Sequence, residues 1–296
     1  MLLALLILTR VLYTLVYPLD LSGDETYYWD WGRQPDWGYF SKPPLIAWIM
    51  ALLRSLDWDS TEGMRLLAAL LSTVAVALCY GLGRDLYGPR VGLWAAALLA
   101  LSPASAVLAV ALTPDALLFL CWCGALWAFW RWQLNGGTLP AIALVACLGL
   151  GLLAKQTMLA FYPLAFLFLT SQTHTRCLLR RPASWLLALG SLAWLSPVLW
   201  WNAENNWVTL SHTAHHFEQT PVNAIQALKN QGELFGAQIL LVGPVTWGLL
   251  ALTIPVTLWR FPGLERRGRY LALMGALPLL LGALLALRQE LQANWL

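Results

Sequence analysis

The chain has 296 residues, 59% of them hydrophobic and only 11% charged, with a net charge of +3. A soluble domain carries about a quarter charged residues, so this composition excludes an ordinary water-soluble fold and points to an integral membrane protein. Five cysteines form no disulfide framework: Cys79, Cys121, Cys123 and Cys147 sit in apolar runs as small filler, and Cys177 lies in a basic loop.

Nine apolar runs are expected to build an all-α polytopic bundle of about nine transmembrane helices. They are residues 1–17, 66–83, 91–112, 115–132, 139–154, 157–170, 183–201, 236–259 and 270–287. They are far too long for barrel strands. The first leads into an acidic loop without a small-residue cleavage site, so it reads as a retained helix and not a signal peptide. The run at 157–170 is short and contains Pro163, which leaves a re-entrant path open. The whole chain, 1–296, reads as one transmembrane domain with two long outer segments, residues 18–65 and 202–235.

Lysine and arginine set the expected orientation. With the N-terminus inside, Arg84, Arg90, Arg131, Arg176, Arg180, Arg181, Arg260, Arg266, Arg267 and Arg269 face the cytoplasm. Arg33, Lys42, Arg54, Arg65, Lys155, Lys229 and Arg288 lie outside, and Arg10 sits within the first span. Of the fifteen acids only Asp85 and Glu265 fall inside. Acids hardly determine topology, so this split indicates a polar, functional outer face.

Residues 20–44 read DLSGDETYYWDWGRQPDWGYFSKPP and hold five of those acids, Asp20, Asp24, Glu25, Asp30 and Asp36. Asp24 and Glu25 are adjacent. One carboxylate can accept a proton while the other binds a metal, a sugar amine or a cation; the alternative is an acidic first helical turn. Lys42 follows the aromatic pair Tyr39-Phe40 and precedes Pro43-Pro44, where it suits either a lipid phosphate or plain headgroup attraction. The stretch from Lys42 to Arg54 begins a helix too short to span, expected to lie along the interface with Trp48 near the headgroups.

Further along, Thr113-Pro114-Asp115 opens the fourth run. Asp115 is either a helix cap or a functional acid at membrane depth. Lys155 ends the fifth run, snorkelling or binding phosphate. His212, His215 and His216 cluster in the second outer segment, and His212 and His216 share a helix face as metal ligands often do. A divalent metal at Glu25 or His212 is therefore the cofactor left open. There is no nucleotide fingerprint, and no nucleic-acid partner is expected.

In order and spacing these features resemble the GT-C polytopic glycosyltransferases, in the branch of protein O-mannosyltransferases and lipid A aminoarabinose or galacturonosyl transferases. The residues that carry the resemblance are Asp24-Glu25 with Tyr27-Tyr28, then YFSKPPLIAW from Tyr39 to Trp48, Arg65, Thr113-Pro114-Asp115 and Lys155. Trp201-Asn202 through His212 and the terminal Asn294-Trp295 add to it. The resemblance implies a polyprenyl-phosphate sugar donor, an acceptor that is a lipid, glycan or protein, and a site facing away from the cytoplasm of the inner membrane. It implies Asp24 as acid/base, with Glu25 beside it, and Lys42, Lys155 and Arg65 near the donor phosphate. Tyr28, Tyr39, Asp115, Asn202 and His212 would contact substrate. Family members continue past the Asn-Trp motif, so the C-terminal part of the family fold is expected to be absent. A lipid or sugar flippase is the competing class. It would carry polar residues at the bilayer midplane and broken, repeated helices.

Overall fold

The structure, a computed structural model, describes residues 2–16, 20–215 and 223–288. Every regular element among them is a helix, and the chain is an all-α polytopic membrane protein. Among the described residues three helices are long and apolar enough to cross a bilayer: Thr61–Tyr87, Pro182–Glu204 and Arg266–Ala286. Ala224–Val242 and Pro244–Trp259 make a fourth crossing if they act as one.

Several apolar runs are not the single helices expected. The run at 236–259 turns through 119° at Gly243, whose φ of +83° ends one helix while Pro244 starts the next. The run at 91–112 breaks ahead of Pro103, giving Pro89–Ala100 and Pro103–Leu108. Hydropathy registers the apolar character of such runs but not the backbone that interrupts them.

The described chain divides into two compact units. The first takes in residues up to 101, 105–158 and 187–212; the second takes in 102–104, 159–186 and the described residues beyond 212. In the second, the Phe168 and Tyr270 rings meet edge-on at 5.1 Å, and Gln231 donates to the Ala283 carbonyl at 2.6 Å. All ten residues expected at the site lie in the first unit.

Eight helices introduce that first unit: α1 (Leu2–Val16), α2 (Gly23–Trp31), α3 (Leu45–Ser55), α4 (Thr61–Tyr87), α5 (Pro89–Ala100), α6 (Pro103–Leu108), α7 (Pro114–Asn135) and α8 (Thr138–Ala154). Between α1 and α4 the chain forms a folded cap made of α2 and α3. Its core joins Tyr28 and Trp31 of α2 to Ile46, Ala47, Met50 and Leu53 of α3, and both to Met64, Leu117 and Ala154. Burying each large apolar side chain stabilises this cap by about 1.5–3 kcal/mol. The two helices approach closely at Gly32, where a Cβ would sit 2.4 Å from that of Met50. On α1, Arg10 donates to Ser72 Oγ (3.0 Å), Thr73 Oγ1 (3.2 Å) and Ser105 Oγ (2.7 Å), which satisfies a half-buried cation between helices.

Candidate active site

Helix α2 begins with a capping box. The Ser22 hydroxyl accepts from the Glu25 N–H, and the Glu25 carboxylate accepts from the Ser22 N–H at 3.0 Å. This places Asp24 and Glu25 in the first turn, where backbone N–H groups favour anions. Their side chains then diverge. Glu25 is 1% exposed. It pairs with Arg65 and accepts the Leu112 N–H at 3.0 Å. Arg65 also donates to the Asp20 carbonyl at 2.8 Å. Burial alone would raise the Glu25 pKa, but Arg65 and these backbone donors together hold it below the ordinary carboxylate range.

Asp24 is exposed, and among the described residues nothing hydrogen-bonds its carboxylate. Its charge is felt by Tyr28, one turn along α2, and by Lys42. Lys42 is half-buried in the turn before α3, closed by the Tyr39 N–H donating to the Lys42 carbonyl at 3.2 Å. Its ammonium makes no hydrogen bond or ion pair among the described residues. Burial first, then the charge of Lys155, lowers its pKa, while Asp115 and Asp24 pull the other way. Two acids and two lysines therefore share one field.

Lys155 is the extended residue that ends α8. It is 4% exposed, and its Nζ donates to Asp115 Oδ1 at 2.7 Å. Asp115 stands in the first turn of α7. Thr113 occupies the N-cap position, but its side chain makes no capping bond. The glycine-rich end of α8 lets this corner close: a Cβ on Gly151 would lie 2.8 Å from Met158 Cγ, next to Lys155. Tyr28 is buried between the cap core and these carboxylates, and burial followed by the charges of Asp24 and Asp115 raises its pKa well above the ordinary value.

The remaining expected residues fall elsewhere in the unit. Tyr39 stacks on Trp31 with centroids 4.2 Å apart, and its hydroxyl accepts the Asp36 N–H at 2.9 Å. Asn202 is buried and internally committed: its amide donates to the Val198 carbonyl (3.0 Å) and its oxygen accepts the Thr209 N–H (3.1 Å). Thr209 in turn donates to the Tyr39 carbonyl at 2.7 Å, so Asn202 holds the segment around Thr209 against the turn before α3. The His212 ring packs 4.7 Å from Phe40. His216, Asn294 and Trp295 lie outside the described residues.

A divalent metal does not fit at Glu25, whose oxygens are held by a guanidinium, a hydroxyl and backbone donors. Among the described residues no group of three or more His, Cys, Asp or Glu side chains is placed to hold a metal ion. The Glu25 oxygens are thus taken up by protein donors, and His216, the expected partner of His212, lies outside the described residues. Arg65, expected at the donor phosphate, pairs with Glu25. The Ser22-x-x-Glu25 spacing was a readable sign of the capping box; the Arg65 partnership had no local signal.

The sequence profile of the family described as dolichyl-phosphate-mannose-protein mannosyltransferase matches residues 41–201, over half of the chain. The chain belongs to this family. The matched stretch includes Lys42, Arg65, Asp115 and Lys155; Asp24 lies just ahead of it. A lipid A galacturonosyltransferase, RgtD of Rhizobium johnstonii, is 30% identical over 232 residues, which are 76% of this chain and 47% of that protein. The chain thus spans about half the length of the curated relative it matches. No solved structure matches it.

Proposed function

We propose that the chain transfers a sugar from a polyprenyl-phosphate donor to a lipid, glycan or protein acceptor at the outer face of the cytoplasmic membrane. The observation that carries this reading is the shared field of Asp24, Lys42, Asp115 and Lys155, next to buried Tyr28. A half-buried ammonium facing a second cation is an electrostatic arrangement that an anion relieves. A donor phosphodiester brings one negative charge. When the bond between its phosphate oxygen and the sugar C1 breaks, the leaving polyprenyl phosphate carries a second. Lys42 and Lys155 would stabilise that developing charge, with Asp115 holding Lys155 in place.

The acceptor oxygen forms the new bond to C1, and its proton passes to the Asp24 carboxylate. Asp24 suits this role because its oxygens are uncommitted and reach solvent. Glu25 and Arg65 act as positioning residues, fixing the start of α2 against α4 and the loop before α7. Tyr28 and Tyr39 are assigned to the substrate-facing wall, and His212 to its edge. The family description and the relative's name agree on glycosyl transfer and differ on sugar and acceptor, which supports the reaction class over any one substrate. The test is to incubate the full chain in nanodiscs with a panel of polyprenyl-phosphate sugars and follow release of polyprenyl phosphate. Consumption of a donor with acceptor present is expected. Intact donors throughout the panel would refute the reading.

A further inference from the structure

Beside this site the first unit contains a cleft of about 870 Å³ that shares Tyr39 with the proposed substrate-facing wall. Its walls include Asp30, Arg33, Asp36, Tyr39, Arg54 and Trp201. Trp31 lines it too, and joins it to the active site: its ring meets that of Tyr28 edge-on at 5.3 Å. Asp24, Tyr28 and Trp31 are spaced i, i+4 and i+7, so they share one face of α2. At 1.5 Å per residue, Asp24 and the cleft wall are separated by on the order of 10 Å along that face.

The cleft is rigid on one side. Asp36 is fixed by three groups: its Oδ2 accepts the Trp201 indole N–H (2.7 Å), its Oδ1 the Trp37 N–H (2.7 Å), and its carbonyl the Trp48 indole N–H (2.8 Å). Gly38 permits the close approach there, since a Cβ would lie 2.7 Å from the Trp201 ring. Asp36 is therefore committed to the protein and offers little charge to a ligand. Asp30 is loosely matched by Arg33 at 3.8 Å, both side chains being half or more exposed. That leaves Arg54, at the last turn of α3, whose guanidinium makes no hydrogen bond or ion pair among the described residues.

We infer that this cleft is the acceptor subsite and that it takes a saccharide bearing a phosphate or carboxylate. Aromatic faces carry a negative quadrupole that suits the C–H faces of a sugar ring. Gln34, Asp30 and Arg33 supply hydrogen bonds to hydroxyls. Arg54 supplies the planar fork that matches an anionic substituent. A bound saccharide would extend along α2 toward Asp24. The inference rests on the transferase reading for the word acceptor; the saccharide site itself stands on the cleft.

The test uses the full chain in nanodiscs, observed by saturation-transfer NMR. The probes are a lipid-free phosphorylated glucosamine disaccharide, its unphosphorylated form and inorganic phosphate. The phosphorylated disaccharide should bind saturably, at least about tenfold tighter than the neutral one, and Arg54→Ala should weaken it by about tenfold or more. Arg33→Ala should weaken it less, because Asp30 shares that charge. Both changes are on exposed side chains, and donor affinity should not move in either. Absence of saturable binding, unchanged binding in Arg54→Ala, or equal competition by inorganic phosphate would each overturn the inference. Retained disaccharide binding in a protein that consumes no lipid donor would keep the cleft and sink the transferase reading alone.

Discussion

Two carboxylates stand side by side in the first turn of α2, and the fold builds opposite surroundings around them. Glu25 points inward to Arg65, is 1% exposed and has its oxygens filled by Ser22, Arg65 and the Leu112 N–H. Asp24 points outward into a field shared with Lys42, Asp115 and Lys155. The same chemical group is a pillar in one place and, in the other, exposed with no hydrogen-bond partner among the described residues. What separates them is saturation: a buried pair with every lone pair filled resists change, whereas an unsatisfied carboxylate facing a charged cluster can exchange a proton.

Breaking the pillar should have the largest effect on stability. Arg65→Met leaves Glu25 buried without its cation, which costs about 3–5 kcal/mol. Thermal unfolding in detergent measures it. Replacing both, as Glu25→Leu with Arg65→Met, should recover much of that loss, because no buried charge remains. Failure to recover would show that the pair does more than stabilise. Acid should act in the same direction. The depressed Glu25 pKa means its contribution is present above the unfolded value of about 4.3 and is lost as pH falls through the folded one.

On the open side, Lys155→Met should raise the donor KM by about tenfold or more, from a lost charge-assisted contact. Lys42→Ala should do the same. Lys42 adds a pH signature. Its lowered pKa means that it loses its proton at a lower pH than an ordinary lysine, near 10.4. Donor KM should therefore climb early on the alkaline side, and Lys42→Arg should shift that climb upward, since arginine stays charged. An unmoved alkaline limb would exclude Lys42 from the donor phosphate.

The smallest effect belongs to the capping box. Ser22→Ala should cost about 1 kcal/mol of stability and leave donor KM unchanged. A large loss of donor use would instead mean that the start of α2 is held chiefly by Ser22 and not by Arg65.

The sequence made much of this legible. Low charge and long apolar runs specified an all-α membrane fold, and the acid density of residues 20–44 marked the loop that carries Asp24, Glu25 and Lys42. Lys42 and Lys155 could be grouped because both lie on the expected outer face. Which of Asp24 and Glu25 was free could not be read, because the answer depends on Arg65, forty residues away and one turn into α4. The pairing of Arg65 with Glu25 was hidden for the same reason: a cation in sequence carries no record of its partner. Asn202 matched a motif, yet its amide is consumed in the backbone turn that brings Thr209 to Tyr39. The cleft was hidden because Asp36 and Trp201 are 165 residues apart.

The central claim is that Asp24, and not its neighbour, moves the acceptor proton. The direct measurement is Asp24→Asn, read for turnover, donor affinity and thermal stability in one preparation. Turnover should fall by about 10²–10⁴-fold, the range for losing a general base. Donor affinity and stability should stay near wild type, since Asn keeps the shape and the carboxylate holds no structural bond. Turnover close to wild type would contradict the account.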